Sequence, residues 1–416
     1  DYYYREHGVR YVMLVGDSEK LPVRYTFRAY EEGKPFMTEY LNKPDWGWNW
    51  CNGGDWHDGM SDFVNNFTLT DLYYADLYDS SGQFETWDTN GNDYFGEIYR
   101  DNLNPEGIDY IPDVAVGRVP ASTVEEVGNY VDKVIAYESC AWNSDWFKRA
   151  LVIASDERDD WVDAGEQTFD IMQSAGFDTE LVITHEEPGD DDIRAGLQEG
   201  IGFLYFMDHG PGRMGQRTRD WQKVQEDQNK PMFPIVFHGG CLAGEFGPSS
   251  LMFDGYKDIY GISHAGFKAG EHFDCYSWPP QPATIQDEER EGSYPEFLIC
   301  ECPHCGAIAY YACSRASQEP SYDLGKWLFE AYTHGHRLIG DMWREAVTNY
   351  YNEHAAKTVP EWRYEKIKIN EDETRTERIR YWYPVAKFFM FQKFVLFGDP
   401  SLRVGGIPGY QMPVPN

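Results

Sequence analysis

Ile201-Gly-Phe-Leu-Tyr-Phe-Met-Asp-His-Gly210 and Met232-Phe-Pro-Ile-Val-Phe-His-Gly-Gly-Cys241 decide the reading of this chain. Each is a short apolar run, rich in aromatic and β-branched residues and bounded by glycine, as expected of a buried strand in a parallel sheet. In open α/β sheets the chemistry gathers at the carboxyl ends of the strands. His209 and Cys241 therefore fall at two strand ends that can be neighbours in space although distant in sequence. A thiolate nucleophile and its base require such an arrangement.

Working outward, strands alternate with amphipathic helices. Strands are expected at 9–15, 113–117, 151–154, 180–183, 201–207, 232–237 and 307–312, and helices at about 162–175, 191–198, 322–333 and 338–354. Ser122-Thr-Val-Glu125 reads as a capping box that starts a further helix, with Val124, Val127, Val131, Val134 and Ile135 as its apolar face. The alternation implies right-handed crossovers and an α/β fold built on a doubly wound, mostly parallel sheet flanked by helices, with surface insertions. One insertion is expected at about 255–292, a charged excursion at 361–380, and a Trp- and Gly-rich irregular stretch at 45–51. The expected organisation is a partial amino-terminal subdomain over 1–147, a catalytic subdomain over 148–404 and a linker or tail over 405–416. No internal repeat is present.

The 416 residues carry a net charge of −34, from 70 acidic against 36 basic side chains. Such a surface repels phosphate, which argues against nucleic acid and anionic membrane as partners. No run of 18 apolar residues occurs, so no transmembrane helix is expected. The chain opens at Asp1-Tyr-Tyr-Tyr without an initiator Met and reads as an internal piece of a longer protein. Its 8 cysteines are too few and scattered for a disulfide scaffold.

A free thiol near pKa 8.5 is little ionised at neutral pH, so an imidazole must take its proton or stabilise it as an ion pair. A thiolate attacking a carbonyl also needs oxyanion donors, and the backbone N–H groups of Gly210 and Cys241 are the candidates. His238 is a rival base, although it lies on the nucleophile's own turn. Asp88, Asn90, Asn92 and Glu97 place oxygen ligands at near-alternate positions in a glycine-containing loop, which suits calcium or a plain acidic turn. Cys300-Glu-Cys302-Pro-His-Cys305 admits a disulfide, free thiols or, with His272 and Cys275, zinc. Zinc is not the expected metal, because no second ligand pair stands at the proper spacing.

Several segments together resemble the gingipain-type cysteine peptidases: Tyr11-Val-Met-Leu-Val-Gly-Asp17, Thr70-Asp-Leu-Tyr-Tyr-Ala-Asp76, Pro112-Asp-Val-Ala-Val-Gly-Arg118, His209-Gly210, Cys241-Leu-Ala-Gly-Glu-Phe246, Gly306-Ala-Ile-Ala-Tyr-Tyr311 and Phe397-Gly-Asp-Pro-Ser-Leu402. The resemblance implies a caspase-like fold, Cys241 as nucleophile, His209 as general acid/base and Glu157 as third catalytic group, with Asp156 its adjacent competitor. It also places Thr168 where arginine-specific members carry a selecting aspartate, and Glu319 on a segment that walls the same pocket. The resemblance also implies an amino-terminal subdomain, expected here only in part, and a carboxy-terminal immunoglobulin-like domain, expected to lie outside this sequence. The expectation is a secreted or surface-attached cysteine endopeptidase acting on protein or peptide, stabilised by calcium, with a propeptide and further carboxy-terminal domains in the full-length protein. The alternative is a catalytically silent calcium-binding surface module that retains the peptidase fold. Glu319 is expected to favour a basic residue before the cleaved bond; a solvated glutamate and a neutral pocket are the competing reading.

Overall fold

The computed structural model describes residues 1–18, 20–21, 23–31, 34–35, 67–92, 94–99, 102–185, 190–210, 228–241, 243–244, 246, 256–258, 263–264, 283–284, 293–314, 317, 320–358, 364–367, 376–379 and 383–410. Eight strands form the main sheet: β1 (Tyr11–Val15), β2 (Ala115–Val119), β3 (Arg149–Ser155), β4 (Asp178–Thr184), β5 (Phe203–Met207), β6 (Ile235–His238), β7 (Ala309–Cys313) and β8 (Phe394–Phe397). Their order is β1-β2-β8-β7-β6-β5-β3-β4. Neighbours are parallel throughout, except that β8 runs antiparallel to β7. The sheet thus consists of two parallel blocks, β1-β2-β8 and β7-β6-β5-β3-β4, that point in opposite directions. The mostly parallel α/β architecture read from the sequence is the one observed.

Every residue of β2, β5, β6, β7 and β8 is buried, as continuous apolar runs covered on both faces should be. Helix Tyr322–Thr333 reaches the sheet through Gly325, where a β-carbon would fall 2.5 Å from the Phe237 ring. A smaller sheet packs beside the main one: strand Arg24–Glu31 pairs with Phe67–Thr70 and Lys34–Pro35 antiparallel and with Phe95–Tyr99 parallel. Within 255–292 the described residues form three short strands with their own antiparallel pairing. The 361–380 excursion contains the hairpin Tyr364–Ile367/Thr376–Ile379. Residues 45–51 lie outside the described residues. Among the described residues no helix is long and apolar enough to cross a membrane.

The helix after β2, Val124–Cys140, departs from expectation. Its N-cap is Thr123, whose hydroxyl accepts from Glu126 N at 3.2 Å, and Ser122 N donates to Glu126 Oε2 at 2.7 Å. The capping pair is therefore displaced by one residue from Ser122 and Glu125. The buried face is Tyr130, Lys133, Ala136 and Tyr137; of the expected valines, Val127 and Val134 pack partly buried against the core, whereas Val124 is 90% and Val131 48% exposed. Polar tips explain the choice. Tyr130 donates to Ile308 O, Lys133 Nζ to Leu298 O, and Tyr137 accepts from Gly405 N. Valine could satisfy none of those backbone groups.

Arg118 on β2 is fully buried and bidentate to Asp71, with both N···O distances 2.7 Å. Its remaining donors reach Gly16 O and Leu21 O, and its guanidinium lies 5.0 Å from the Phe246 ring centroid. Breaking such a pair leaves an uncompensated buried charge. Asp71→Ala should cost roughly 3–5 kcal/mol of stability, read as a lower urea midpoint at unchanged slope. Replacing both partners, Asp71→Leu with Arg118→Met, should recover much of that loss. Equal midpoints for wild type and Asp71→Ala would refute the assignment.

Candidate active site

β3, β5 and β6 are adjacent and parallel, so their carboxyl ends share one edge of the sheet. Glu157 follows β3, His209 follows β5 and Cys241 follows β6. Glu157 Oε2 lies 2.7 Å from His209 Nε2. Asp156 turns the other way: its Oδ2 meets His185 Nδ1 at 2.5 Å, at the end of β4. Successive residues leaving a strand face opposite sides, so Glu157, not its neighbour, reaches the imidazole. Trp161, in the first turn of helix Asp159–Ser174, packs edge-on against the His209 ring at 5.2 Å.

The two functional turns touch through glycine. A β-carbon on Gly210 would fall 1.5 Å from Cys241 O, and one on Gly240 would fall 2.7 Å from Gly210 Cα. Absence of side chains at both positions lets the His209 and Cys241 backbones meet. His209 and Cys241 then line a common cleft of about 50 Å³ with Arg158, Trp161, Met207, Asp208, Gly239, Ser317 and Ser321.

The Cys241 thiol donates to Ser317 O at 3.4 Å rather than to the imidazole. Burial pushes its pKa above the ordinary thiol value, partly offset by the charge of Lys393. The resting site therefore holds a neutral thiol. Of the two routes to a nucleophile, proton transfer to His209 fits this geometry better than a standing ion pair. Asp208, 5% exposed, accepts from His209 N at 2.5 Å and places a carboxylate on the cleft wall.

Thr168 is not brought to this cleft. It is fully buried on the sheet-facing side of helix Asp159–Ser174, and its hydroxyl donates to Ala164 O at 2.8 Å. A β-hydroxyl one turn from its own carbonyl bonds locally, which suits a core position. Thr168 is not among the described residues that line this cleft. Glu319 lies outside the described residues; Ser317, from the same segment, does line the cleft. The rival base His238 is 2% exposed and bonds Tyr310 OH beneath the nucleophile turn. Trp161, Ser317 and Asp208 were not singled out from the sequence. Only Asp208 had a local signal, its place directly before the candidate base.

The profile of peptidase family C25 matches residues 1–264. The chain belongs to that family. Solved structures similar to it include the Arg-specific cysteine proteinase gingipain R (TM-score 0.54, 14% identity, covering 97% of this chain and 66% of that one). A complex of Porphyromonas gingivalis RgpB pro- and mature domains is also similar (TM-score 0.52, 14% identity, 97% and 68%). At that identity the likeness establishes the gingipain-type, caspase-like fold. The family C25 chain spans 66% of the length of the first of these structures. No curated protein sequence matches it.

Away from the cleft, the 88–97 loop folds around Glu97. Asn90 Nδ2 and Asn92 Nδ2 donate to Glu97 Oε2 at 2.9 and 3.2 Å, and Tyr99 OH donates to Oε1 at 2.5 Å. Asp88 Oδ1 accepts from Asn92 N at 3.0 Å. Burial and the adjoining Glu106 push the Glu97 carboxyl up to about 7. Glu106, 7% exposed, joins this loop by accepting from Thr89. A second acidic group, Asp76, Glu85 and Asp109, brings carboxylate oxygens within 4.8 Å of one another. Asp76 is 1% exposed, and burial together with the charge of Glu85 and a hydrogen bond with it pushes the Asp76 carboxyl up to about 10. In the cysteine cluster Cys302 and Cys305 form a disulfide and Cys300 is a buried thiol. His272 and Cys275 lie outside the described residues.

The raised thiol pKa has a direct readout. Alkylation of Cys241 by iodoacetamide should accelerate with pH along a curve whose midpoint lies above the ordinary value of about 8.5. A midpoint near neutrality would show a preformed ion pair and overturn the neutral-thiol assignment.

Proposed function

We propose that this family C25 chain is a cysteine endopeptidase working through Cys241 and His209, with Glu157 orienting the imidazole. The observation that carries the reading is that His209, whose Nε2 lies 2.7 Å from Glu157, lines one cleft with Cys241. Glu157 occupies Nε2, so Nδ1 is the nitrogen that exchanges protons with thiol, leaving group and water. Substrate entering the cleft displaces the thiol from Ser317 O. His209 takes the Sγ proton as sulfur attacks the scissile carbonyl, and Glu157 stabilises the imidazolium. The N–H groups of Gly210 and Cys241 stabilise the oxyanion. Collapse expels the amine, which takes the proton from His209 and leaves a thioester on Cys241. Water, deprotonated by His209, then releases the acid and regenerates the thiol.

Thr168 being withdrawn into the core, residue preference falls to the 317–319 segment. Glu319 is proposed to favour lysine and arginine before the cleaved bond, and Glu319→Gln should abolish that preference on lysyl, arginyl, asparaginyl and aspartyl reporters. Secretion or surface attachment, a propeptide over the cleft and further domains in a longer chain complete the reading.

Cys241→Ala should abolish peptide hydrolysis, and His209→Ala should lower kcat at least about a hundredfold, the usual scale for a general acid–base group. Wild-type turnover in Cys241→Ala would end the mechanism. The alternative, a silent calcium-binding module, requires that the folded protein cleave no member of a peptide library.

Calcium is proposed at two places. Glu97 and Glu106 form a buried carboxylate pair, and calcium there would displace the Asn90 and Asn92 amide nitrogens that now donate to Glu97, with Asp88 beside them. Asp76, Glu85 and Asp109 supply a second set, three carboxylates whose oxygens lie within 4.8 Å of one another and whose mutual repulsion a cation with oxygen ligands would relieve. Calcium bound to the native state stabilises it by mass action. Excess chelator should lower Tm, and calcium, more than magnesium, should restore it. Glu97→Gln and Asp76→Asn should each reduce that calcium-dependent increment. A melting curve indifferent to chelator would remove both sites.

A further inference from the structure

We infer that Tyr310 is a positioning residue for the nucleophile, acting through a buried His238–Tyr310–Ala243 bridge. The inference rests on Cys241 being the nucleophile and assigns a role to groups the mechanism above does not use. Tyr310 stands on β7 beside β6, fully buried. Its hydroxyl donates to Ala243 O at 3.0 Å and lies 2.8 Å from His238 Nδ1. A hydroxyl has one proton. With that proton on Ala243 O, the contact to His238 requires an Nδ1–H donor, so the bridge also fixes the state of that nitrogen.

The bridge spans the turn on which Cys241 sits. His238 is the last residue of β6, its ring 4.7 Å from Phe206 and 2% exposed; Ala243 follows the nucleophile and is fully buried. Backbone bonds pin the flanks: Gly239 N donates to Phe206 O at 2.8 Å and Gly244 N to Cys313 O at 2.9 Å. Between them the loop rests on the Gly210 turn. The hydroxyl of Tyr310 closes this span from below, tying both sides of the turn to the neighbouring strand. A buried hydrogen-bonded chain favours one arrangement of the segments that it joins. Here the arrangement specified is the place of Sγ relative to His209. Ring packing alone would be met equally by phenylalanine.

Tyr310→Phe keeps the ring and removes the bridge. Small misplacement of a reacting group can cost about a hundredfold in rate. We expect kcat to fall about ten- to a hundredfold with KM within about twofold. Native-state alkylation of Cys241 by iodoacetamide, well below Tm, should accelerate as the turn loosens from Ser317 O. His238→Leu should reproduce both effects, and His238→Gln, which retains a donor, should restore part of kcat. Because both substitutions break one bridge, the double variant should be no worse than either single. Tyr310→Phe with kcat and alkylation within twofold of wild type would overturn the inference, as would multiplicative losses in the double variant. If Tyr310→Phe does not fold, the His238→Leu and His238→Gln comparison decides by the same criteria. Should wild type cleave no peptide, the proposed function fails, while the alkylation series still tests whether Tyr310 holds the Cys241 turn.

Discussion

The rest of the structure hangs on a charge that cannot be left alone in the core. Arg118 is fully buried, and its guanidinium makes two bonds to Asp71 and one each to Gly16 O and Leu21 O, with one face against Phe246. Each partner belongs to a different piece. Gly16 ends β1, Asp71 ends a strand of the smaller sheet, and Phe246 belongs to the segment that leaves the nucleophile. A planar fork with fixed donor directions tolerates little displacement of any of them. Ser18 reinforces the same junction by donating to Phe246 O at 3.2 Å. The pair thus supplies registration among three segments rather than net attraction, which burial of two ions largely offsets.

On that frame the cleft is a consequence of strand direction. Three neighbouring parallel strands release their chains at one edge, and the residues that follow them meet there. Glycine at 210 and 240 lets two turns come into backbone contact, and the thiol rests on a carbonyl in a partly buried site. Those features favour a reagent kept neutral until a substrate arrives. Glu157 and Trp161 hold the imidazole from two sides, so the base is oriented before the nucleophile is charged.

The strands of the larger block were legible because each is a short apolar run between turn residues, and β5 and β6 fell within a few residues of expectation. Once they were placed, His209 and Cys241 fell at strand ends that could be neighbours, and the two line one cleft. Glu157 over Asp156 came from the family pattern, and alternation along a strand exit now gives it a physical reason. What stayed hidden depended on partners far away in sequence. The valines of the 124–140 helix looked like its buried face; Val127 and Val134 do pack against the core, but acceptors at Leu298 and Ile308 put Lys133 and Tyr130 at its centre. Thr168 carried no sign of its burial, because a helix position faces core or solvent according to how the helix is laid on the sheet. Glu106 and the Asp76 group escaped a spacing argument for the same reason: their oxygens meet across loops, not along one.

The order of the sheet has a consequence for how this molecule comes into being. β8 is the last strand in sequence, yet it lies between β2 and β7 and joins the two oppositely directed blocks. Until Phe394–Phe397 has been made and inserted, the amino-terminal block and the block bearing His209 and Cys241 have no strand in common. Emerging from the ribosome, the chain therefore carries its nucleophile and base long before the seam that unites the two halves can close. Pairings so distant in sequence form slowly. Closing the sheet is thereby tied to synthesis of β8, a delay set by the topology itself.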